Sequence, residues 1–263
     1  MSIKLYAKCA GTGFPVVLLH GLFGAGSNLG ALSRHLQDSF HVCSIDMPNH
    51  GRSGWLEAVD IPSMADCLTQ WMAQEGVSSA HWVGHSLGGK VAMQLALKNP
   101  ALVASLVVAD IAPVAYGGRH DRVFAALEAV AQGNCSSREE ASSLMQRHLE
   151  EAGVIQFLMK SLQRDEQGFF RWRLDLEGLR SNYAKLSAAP VVEEPYGGQV
   201  QFIKGSESDY IQQHHWPEIE RLFPRAEIKV MADCGHWLHA EKPELFNGIV
   251  GRFLQAQVSA GAS

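Results

Sequence analysis

Gly84-His85-Ser86-Leu87-Gly88 sets a serine between two glycines in the spacing G-x-S-x-G, directly after an apolar run and before a helical pattern over Lys90 to Lys98. A strand that feeds a helix through so sharp a turn lifts the Ser86 hydroxyl off the sheet, and glycines leave room where side chains would collide. The turn also aims the helix N-terminus, with its partial positive charge, at the place where an oxyanion would form. A serine hydroxyl is a weak nucleophile near neutral pH and needs a base within hydrogen-bond reach. His236, in Cys234-Gly235-His236-Trp237 after a strand expected to end at Met231, is the best placed of the twelve histidines. His20-Gly21-Leu22-Phe23 ends another expected strand, so the backbone N–H groups of Leu22 and Leu87 are the candidate oxyanion donors. Phe23 and Trp237, beside these motifs, are the candidate substrate-contacting residues.

A carboxylate must hold the histidine in its productive tautomer. Two aspartates are available: Asp110, ending the run Leu102 to Ala109, and Asp209, shortly after the run Val200 to Lys204. Either also suits an ordinary turn or helix cap. Asp46 ends a further run, but its loop to Ser53 is turn-forming and the residue reads as structural. His50, His81, His120, His214 and His215 read as surface or satisfied structural residues, and His20 and His85 as shaping their turns. His81 and His85 are four apart but span a strand and a turn rather than a helix face, and His236, His239 and Glu241 have no further ligand nearby, so no metal site is expected.

These residues need a scaffold that brings strand ends together. Short apolar runs at Ile3 to Ala7, Val16 to Leu19, Val42 to Ile45, Trp82 to Val83 and Leu102 to Ala109 alternate with helical patterns at Asn28 to Gln37, Ser63 to Gln74 and Lys90 to Lys98. That rhythm predicts a mostly parallel sheet with helices on both faces. It breaks near Pro113 and resumes with strands at Val200 to Lys204 and Ile228 to Met231 and helices at Tyr210 to Leu222 and Pro243 to Gln255. Residues 1–112 and 196–263 are therefore expected to form the core, and residues 113–195 a mainly helical cap inserted into it. Within the insertion, Phe170, Trp172, Leu174 and Leu176 alternate with polar residues as a half-buried strand would. Its basic residues Arg119, Arg171 and Arg173 read as a solvated face, with an anionic substrate as the other reading.

The 263 residues, 46% hydrophobic and 19% charged, suit one large folded domain and exclude a disordered chain. A net charge of -5 offers no cationic excess for a nucleic-acid backbone or an anionic membrane, so neither partner is expected. No run is long and apolar enough to serve as a signal peptide or membrane span, which makes a soluble cytoplasmic protein, monomer or homodimer, the expectation. Cys9, Cys43, Cys67, Cys135 and Cys234 are scattered without C-x-x-C spacing and read as reduced thiols.

Taken together, His20-Gly21-Leu22-Phe23-Gly24, Asp46-Met47-Pro48-Asn49-His50-Gly51, the serine motif, Asp110-Ile111-Ala112-Pro113 and Gly235-His236-Trp237 resemble the α/β-hydrolases, and among them the small bacterial esterases of the YbfF type. The resemblance implies an α/β-hydrolase fold and hydrolysis of a small-molecule ester or thioester, acyl-CoA included, through an acyl-enzyme and with no cofactor. It also implies Asp110 as the acid. Many members of the superfamily carry theirs three residues after a glycine equivalent to Gly205, where this chain has Ser208, with Asp209 one residue further. Carbon-carbon bond hydrolases and menaquinone-pathway lyases keep the same residues and are the enzymatic alternatives. A ligand receptor that retains the triad is the alternative of another class.

Overall fold

Val16 and Leu18 pack to one side of the central sheet while Val17 and Leu19 pack to the other, so the strand reads as a continuous apolar run rather than an alternating one. In the computed structural model, which describes residues 3–192 and 194–261, seven strands form this sheet. They are β1 (Tyr6–Ala10), β2 (Pro15–Leu19), β3 (His41–Asp46), β4 (Ala80–His85), β5 (Val103–Ala109), β8 (Val200–Gly205) and β9 (Ala226–Met231). A separate hairpin holds β6 (Leu162–Arg164) and β7 (Phe170–Trp172). The order across the sheet is β1-β3-β2-β4-β5-β8-β9, and every pairing is parallel except β1 with β3. This is the expected α/β-hydrolase architecture.

Helices α1 (Gly30–Leu36), α2 (Ile61–Gln74) and α3 (Leu87–Lys98) follow β2, β3 and β4 in the chain. Leu32 and Leu36 of α1 share one buried cluster with Val16, Leu18 and Val83, whereas Met64 and Leu68 of α2 and Val91 and Leu95 of α3 share the other with Val17, Leu19 and Trp82. Asp60 caps α2 by accepting from the Ser63 N–H at 2.8 Å, and Pro62 fits its first turn, where no N–H is needed. Between β5 and β8 the chain leaves the sheet for α4 (Asp121–Gln132), α5 (Arg138–Met145), α6 (Ala152–Met159), the hairpin, α7 (Leu176–Ser181) and α8 (Tyr183–Leu186). After β8 come α9 (Trp216–Leu222), α10 (Leu238–Glu241) and α11 (Pro243–Gly261), whose Phe246, Val250 and Leu254 complete the α1 face.

Three local expectations shift. The first strand is Tyr6–Ala10 rather than Ile3 to Ala7, because an edge strand is defined by its pairing, here Tyr6 opposite Asp46, more than by its own apolar content. The alternation at Phe170 to Leu176 yields strand only to Trp172; Leu174 makes one bridge to His50, and Leu176 already starts α7, capped by Asp175. The expectation of five reduced thiols also fails, since Cys9 and Cys43 stand opposite each other in the antiparallel β1–β3 register and are joined by a disulfide. Their juxtaposition depends on strand register, which cysteine spacing does not encode. Cys67, Cys135 and Cys234 are free and buried. Among the described residues no helix is long and apolar enough to cross a membrane.

Candidate active site

Ser86 occupies the turn between β4 and α3 with φ 52°, a left-handed conformation that a serine adopts only when its surroundings impose it. Two constraints do so. The Ser86 N–H donates to the Ala109 carbonyl of β5 at 2.9 Å, and the flanking glycines let backbones touch. A Cβ at Gly84 would lie 2.3 Å from the Gly88 oxygen, and one at Gly88 would lie 2.4 Å from the Leu19 oxygen. No side chain fits at either position, which is the physical content of the G-x-S-x-G spacing. Leu87 is the first residue of α3, where helix N–H groups have no partner within the helix.

Asp110, also left-handed at φ 51°, follows β5 and is fully buried. Its Oδ1 accepts from the Gly205 N–H at 3.1 Å, and its Oδ2 accepts from the Ser208 hydroxyl and from His236 Nδ1, the latter at 2.8 Å. His236 Nε2 lies 3.0 Å from Ser86 Oγ. The sequence-derived candidates Ser86, His236 and Asp110 thus form one continuous hydrogen-bonded chain, with Nδ1 protonated toward the carboxylate and Nε2 free to face the hydroxyl. Asp209 is exposed and contacts Gln212 at 3.3 Å, away from this chain. His81 pairs with Ser105 at 2.8 Å, and Glu241 accepts from the N–H groups of Gly235 and Trp237, at 2.8 and 3.1 Å, fixing the loop that carries His236. The sulfur and nitrogen atoms of Cys9, His41 and Cys43 do lie within 4.8 Å of one another, but the two sulfurs are bonded to each other.

The loop bearing Leu22 and Phe23 is held by neutral histidines. His20 Nδ1 donates to the Gly21 carbonyl at 2.8 Å and its Nε2 accepts from the Met47 N–H at 3.0 Å. His50 Nδ1 donates to the Pro48 carbonyl at 2.8 Å and its Nε2 accepts from the Phe23 N–H at 3.2 Å. Burial pushes His20 down to about 4 and His50 to about 3, so both keep the unprotonated nitrogen these contacts require. Asp46, read as structural, accepts from the Gly26 N–H at 2.7 Å and the Arg52 N–H at 2.9 Å and so ties this loop to the next. Leu22, between residues so fixed, lines the cavity beside Ser86.

That cavity, of about 550 Å³, lies between the strand ends and the segment leading from β5 to β8. Phe23 and Trp237, the candidate substrate-contacting residues, both line it, together with the apolar Val123, Leu149, Val154 and Leu158. Trp237 stacks on Phe157 with ring centroids 5.5 Å apart, and Phe23 meets Phe124 edge to face at 5.1 Å. Arg119 lines it too, lying over the Tyr116 and Tyr210 rings, whereas Arg171 pairs with Asp165 and Arg173 donates to Gln163.

Several site residues make contacts that the sequence reading does not assign to them. Tyr210 stacks on the His236 ring at 4.0 Å; the helix expected from Tyr210 begins only at Trp216 as α9, and Tyr210 lies in the loop before it. His120, read as structural, lines the cavity and shares a 2.5 Å hydrogen bond with the Tyr183 hydroxyl, and burial lowers it to about 4. His85 donates from Nε2 to the His236 carbonyl at 2.8 Å, and its ring packs between His236 and His239. Lys90, in the turn of α3 after Ser86, is buried and donates to three carbonyls, Val114 at 2.8 Å, Ser187 at 2.8 Å and Ala188 at 2.5 Å. It therefore joins α3 to both ends of the inserted segment.

Residues 15–243 match the family model for the alpha/beta hydrolase fold. Esterase YbfF of Escherichia coli is 37% identical over 244 residues, 91% of this chain and 92% of that protein. The sn-1-specific diacylglycerol lipase ABHD11 of Mus musculus is 38% identical over 91% of this chain and 80% of its own. A solved structure described as a marine microorganism esterase superposes with a TM-score of 0.93 at 32% identity, covering 96% of this chain and all of the other. On the match across most of its length, on its sheet and on these relatives, the chain belongs to the alpha/beta hydrolase fold family.

Proposed function

We propose that this protein is a carboxylic ester hydrolase in which Ser86 attacks the acyl carbon, His236 takes the hydroxyl proton and returns it to the leaving group, and Asp110 holds the imidazole. The observation that carries this reading is the unbroken chain from Ser86 Oγ, at the cavity wall, through His236 to the buried Asp110 carboxylate behind it. The carbonyl oxygen, on becoming anionic, takes up the N–H groups of Leu22 and Leu87. Water then attacks the acyl-enzyme by the reverse proton path, releasing acid and regenerating Ser86. No metal or cofactor enters this scheme.

Residues 113–195 act as a cap, because they supply the apolar wall of the cavity facing Ser86, with Val123, Leu149, Val154, Phe157 and Leu158 positioned for an acyl or other hydrophobic group. A cavity of about 550 Å³ holds a substrate of small-molecule size. The names of the relatives, an esterase and a diacylglycerol lipase, support uncharged acyl esters as the first class to try, with thioesters beside them.

The test is a panel of nitrophenyl esters of rising chain length beside acyl-CoA thioesters, with Ser86→Ala as the control. Turnover of at least one series should fall to background in the variant at unchanged melting temperature, and a phosphonate probe should label Ser86 alone. Labelling at another serine, full activity in the variant, or only a few turnovers per molecule would reject the hydrolase reading.

A further inference from the structure

We propose that a second cavity, walled by residues of β1, β3, α1 and the segment between β5 and β8, is a binding site for a phosphate-bearing ligand. The cavity measures about 520 Å³, nearly the size of the first, and five cationic side chains line it: Lys8, Arg34, Arg52, Lys160 and Arg173. This concentration runs against a chain whose net charge is -5. Asp46 is the one acid among the lining residues, and both of its oxygens already accept backbone N–H groups, from Gly26 and Arg52. Among the described residues none of the five cations is within ion-pair distance of a carboxylate. Arg52 instead donates to the Tyr6 hydroxyl at 2.8 Å, and Arg173 uses Nε on Gln163 at 2.7 Å, which leaves guanidinium N–H groups of both to spare.

Like charges gathered in a concave site repel one another and focus a positive potential there, and an anion of high charge relieves both effects. Guanidinium groups suit phosphoryl oxygens through paired N–H contacts, and the hydroxyls of Ser27 and Ser33 add neutral donors at the same wall. A single carboxylate would leave most of the charge uncompensated, whereas a diphosphate matches it. The cavity's small-molecule size, in a chain of net negative charge, favours a small ligand over a nucleic acid.

The site joins two parts of the fold. Lys160, Ser161 and Arg173 come from the segment between β5 and β8, and the remaining lining residues come from β1, β3, α1 and the loops beside them. Ser161, which lines this cavity, donates to the carbonyl of Phe23, which lines the one at Ser86, at 2.8 Å. The phosphate group belongs either to a free ligand or to the far end of a substrate, and the two sources act on hydrolysis differently.

The site itself is tested by titrating inorganic pyrophosphate into the full chain carrying Ser86→Ala in low-salt buffer, by calorimetry. The result does not depend on hydrolysis, so a failure of the esterase reading and a failure of this one are distinguishable. One-to-one binding is expected, weakened at least about tenfold by Arg34→Gln with Lys160→Gln, two exposed positions whose change should leave the melting temperature intact. Absence of saturable binding at millimolar pyrophosphate, or equal affinity in the variant, overturns the proposal. The source is read with Ser86 present. If the double variant raises KM only for an ester with a phosphate on its alcohol side, the group is part of the substrate; if pyrophosphate alters turnover of an uncharged ester and the variant abolishes that effect, the ligand is free.

Discussion

Ser208 donates its hydroxyl to the same oxygen of Asp110, Oδ2, that accepts from His236 Nδ1. The two residues are 98 apart in the chain and meet because β5 and β8 are neighbours in the sheet, with the Asp110 N–H donating to the Ile203 carbonyl at 2.8 Å. The position that carries the acid in many hydrolases of this fold and Asp110 therefore converge on one point beside the imidazole. A serine in the first slot serves as a donor to a carboxylate supplied from the second.

Asp110→Asn separates the two candidate acids. With its oxygen toward the Gly205 N–H, the amide would present NH₂ to His236 Nδ1 and force the proton onto Nε2, the atom that must accept from Ser86. Turnover is expected to fall by about 10³ to 10⁴. Asp209→Asn should lose less than about tenfold, since Asp209 is exposed and outside the chain of contacts. Ser208→Ala removes one bond to a buried carboxylate and is expected to cost about 1.5 to 3 kcal/mol in stability while the acid stays in place. A crippled Asp209→Asn beside an active Asp110→Asn would reverse the assignment.

Lys90→Met tests what holds the inserted segment to the core. Burial lowers the Lys90 ammonium to about 7, yet its three protons match three carbonyls at the two ends of the segment. Methionine fills the space but takes the donor from the Val114 and Ala188 carbonyls, while the Ser187 carbonyl still accepts from the Tyr116 N–H, a loss of about 2 kcal/mol or more. Amide exchange should quicken around residues 114 and 187, measured by mass spectrometry. Unchanged exchange at both ends would show that the segment is anchored elsewhere.

Acid should unfold this protein early. Burial holds His20, His81, His120 and His239 down to about 4, His50 to about 3, and His85 well below its ordinary value. These groups charge more easily in the unfolded chain, near pH 6.5, than in the native one, so below that pH unfolding takes up protons. Stability is then full above about pH 6.5 and declines as pH falls toward 4, each such histidine contributing up to about 1.4 kcal/mol per pH unit. Urea midpoints at pH 7.5, 6 and 5 measure the slope; a flat profile across that window contradicts the neutral assignments.

Reduction of the Cys9–Cys43 bond, 34 residues apart, should lower stability by about 4 kcal/mol on the loop-closure model. Ester turnover should not change, because β1 is at the sheet edge while Ser86, Asp110 and His236 follow β4, β5 and β9. Melting with and without a phosphine reductant decides it, an identical midpoint being the contrary outcome.

The sequence by itself determined the features written in contiguous residues. The strand–turn–helix around Ser86, the strand-to-loop position of His236 and the alternation of apolar runs with helical patterns depend on neighbours within a few positions, where backbone sterics and period act directly. The tertiary structure decided whatever depends on which strands lie side by side. Asp110 rather than Asp209 meets His236 Nδ1 because the loop after β8 turns Ser208 toward the Asp110 carboxylate and leaves Asp209 in solvent. Tyr210 reaches the His236 ring, Lys90 spans two ends of a segment far from it in the chain, and Cys9 meets Cys43, each through a register or crossing that no local pattern encodes. The basic cavity is the extreme case, since Lys8, Arg34, Arg52, Lys160 and Arg173 are scattered cations in the sequence and become one field only when β1, α1 and the inserted segment close around the same space.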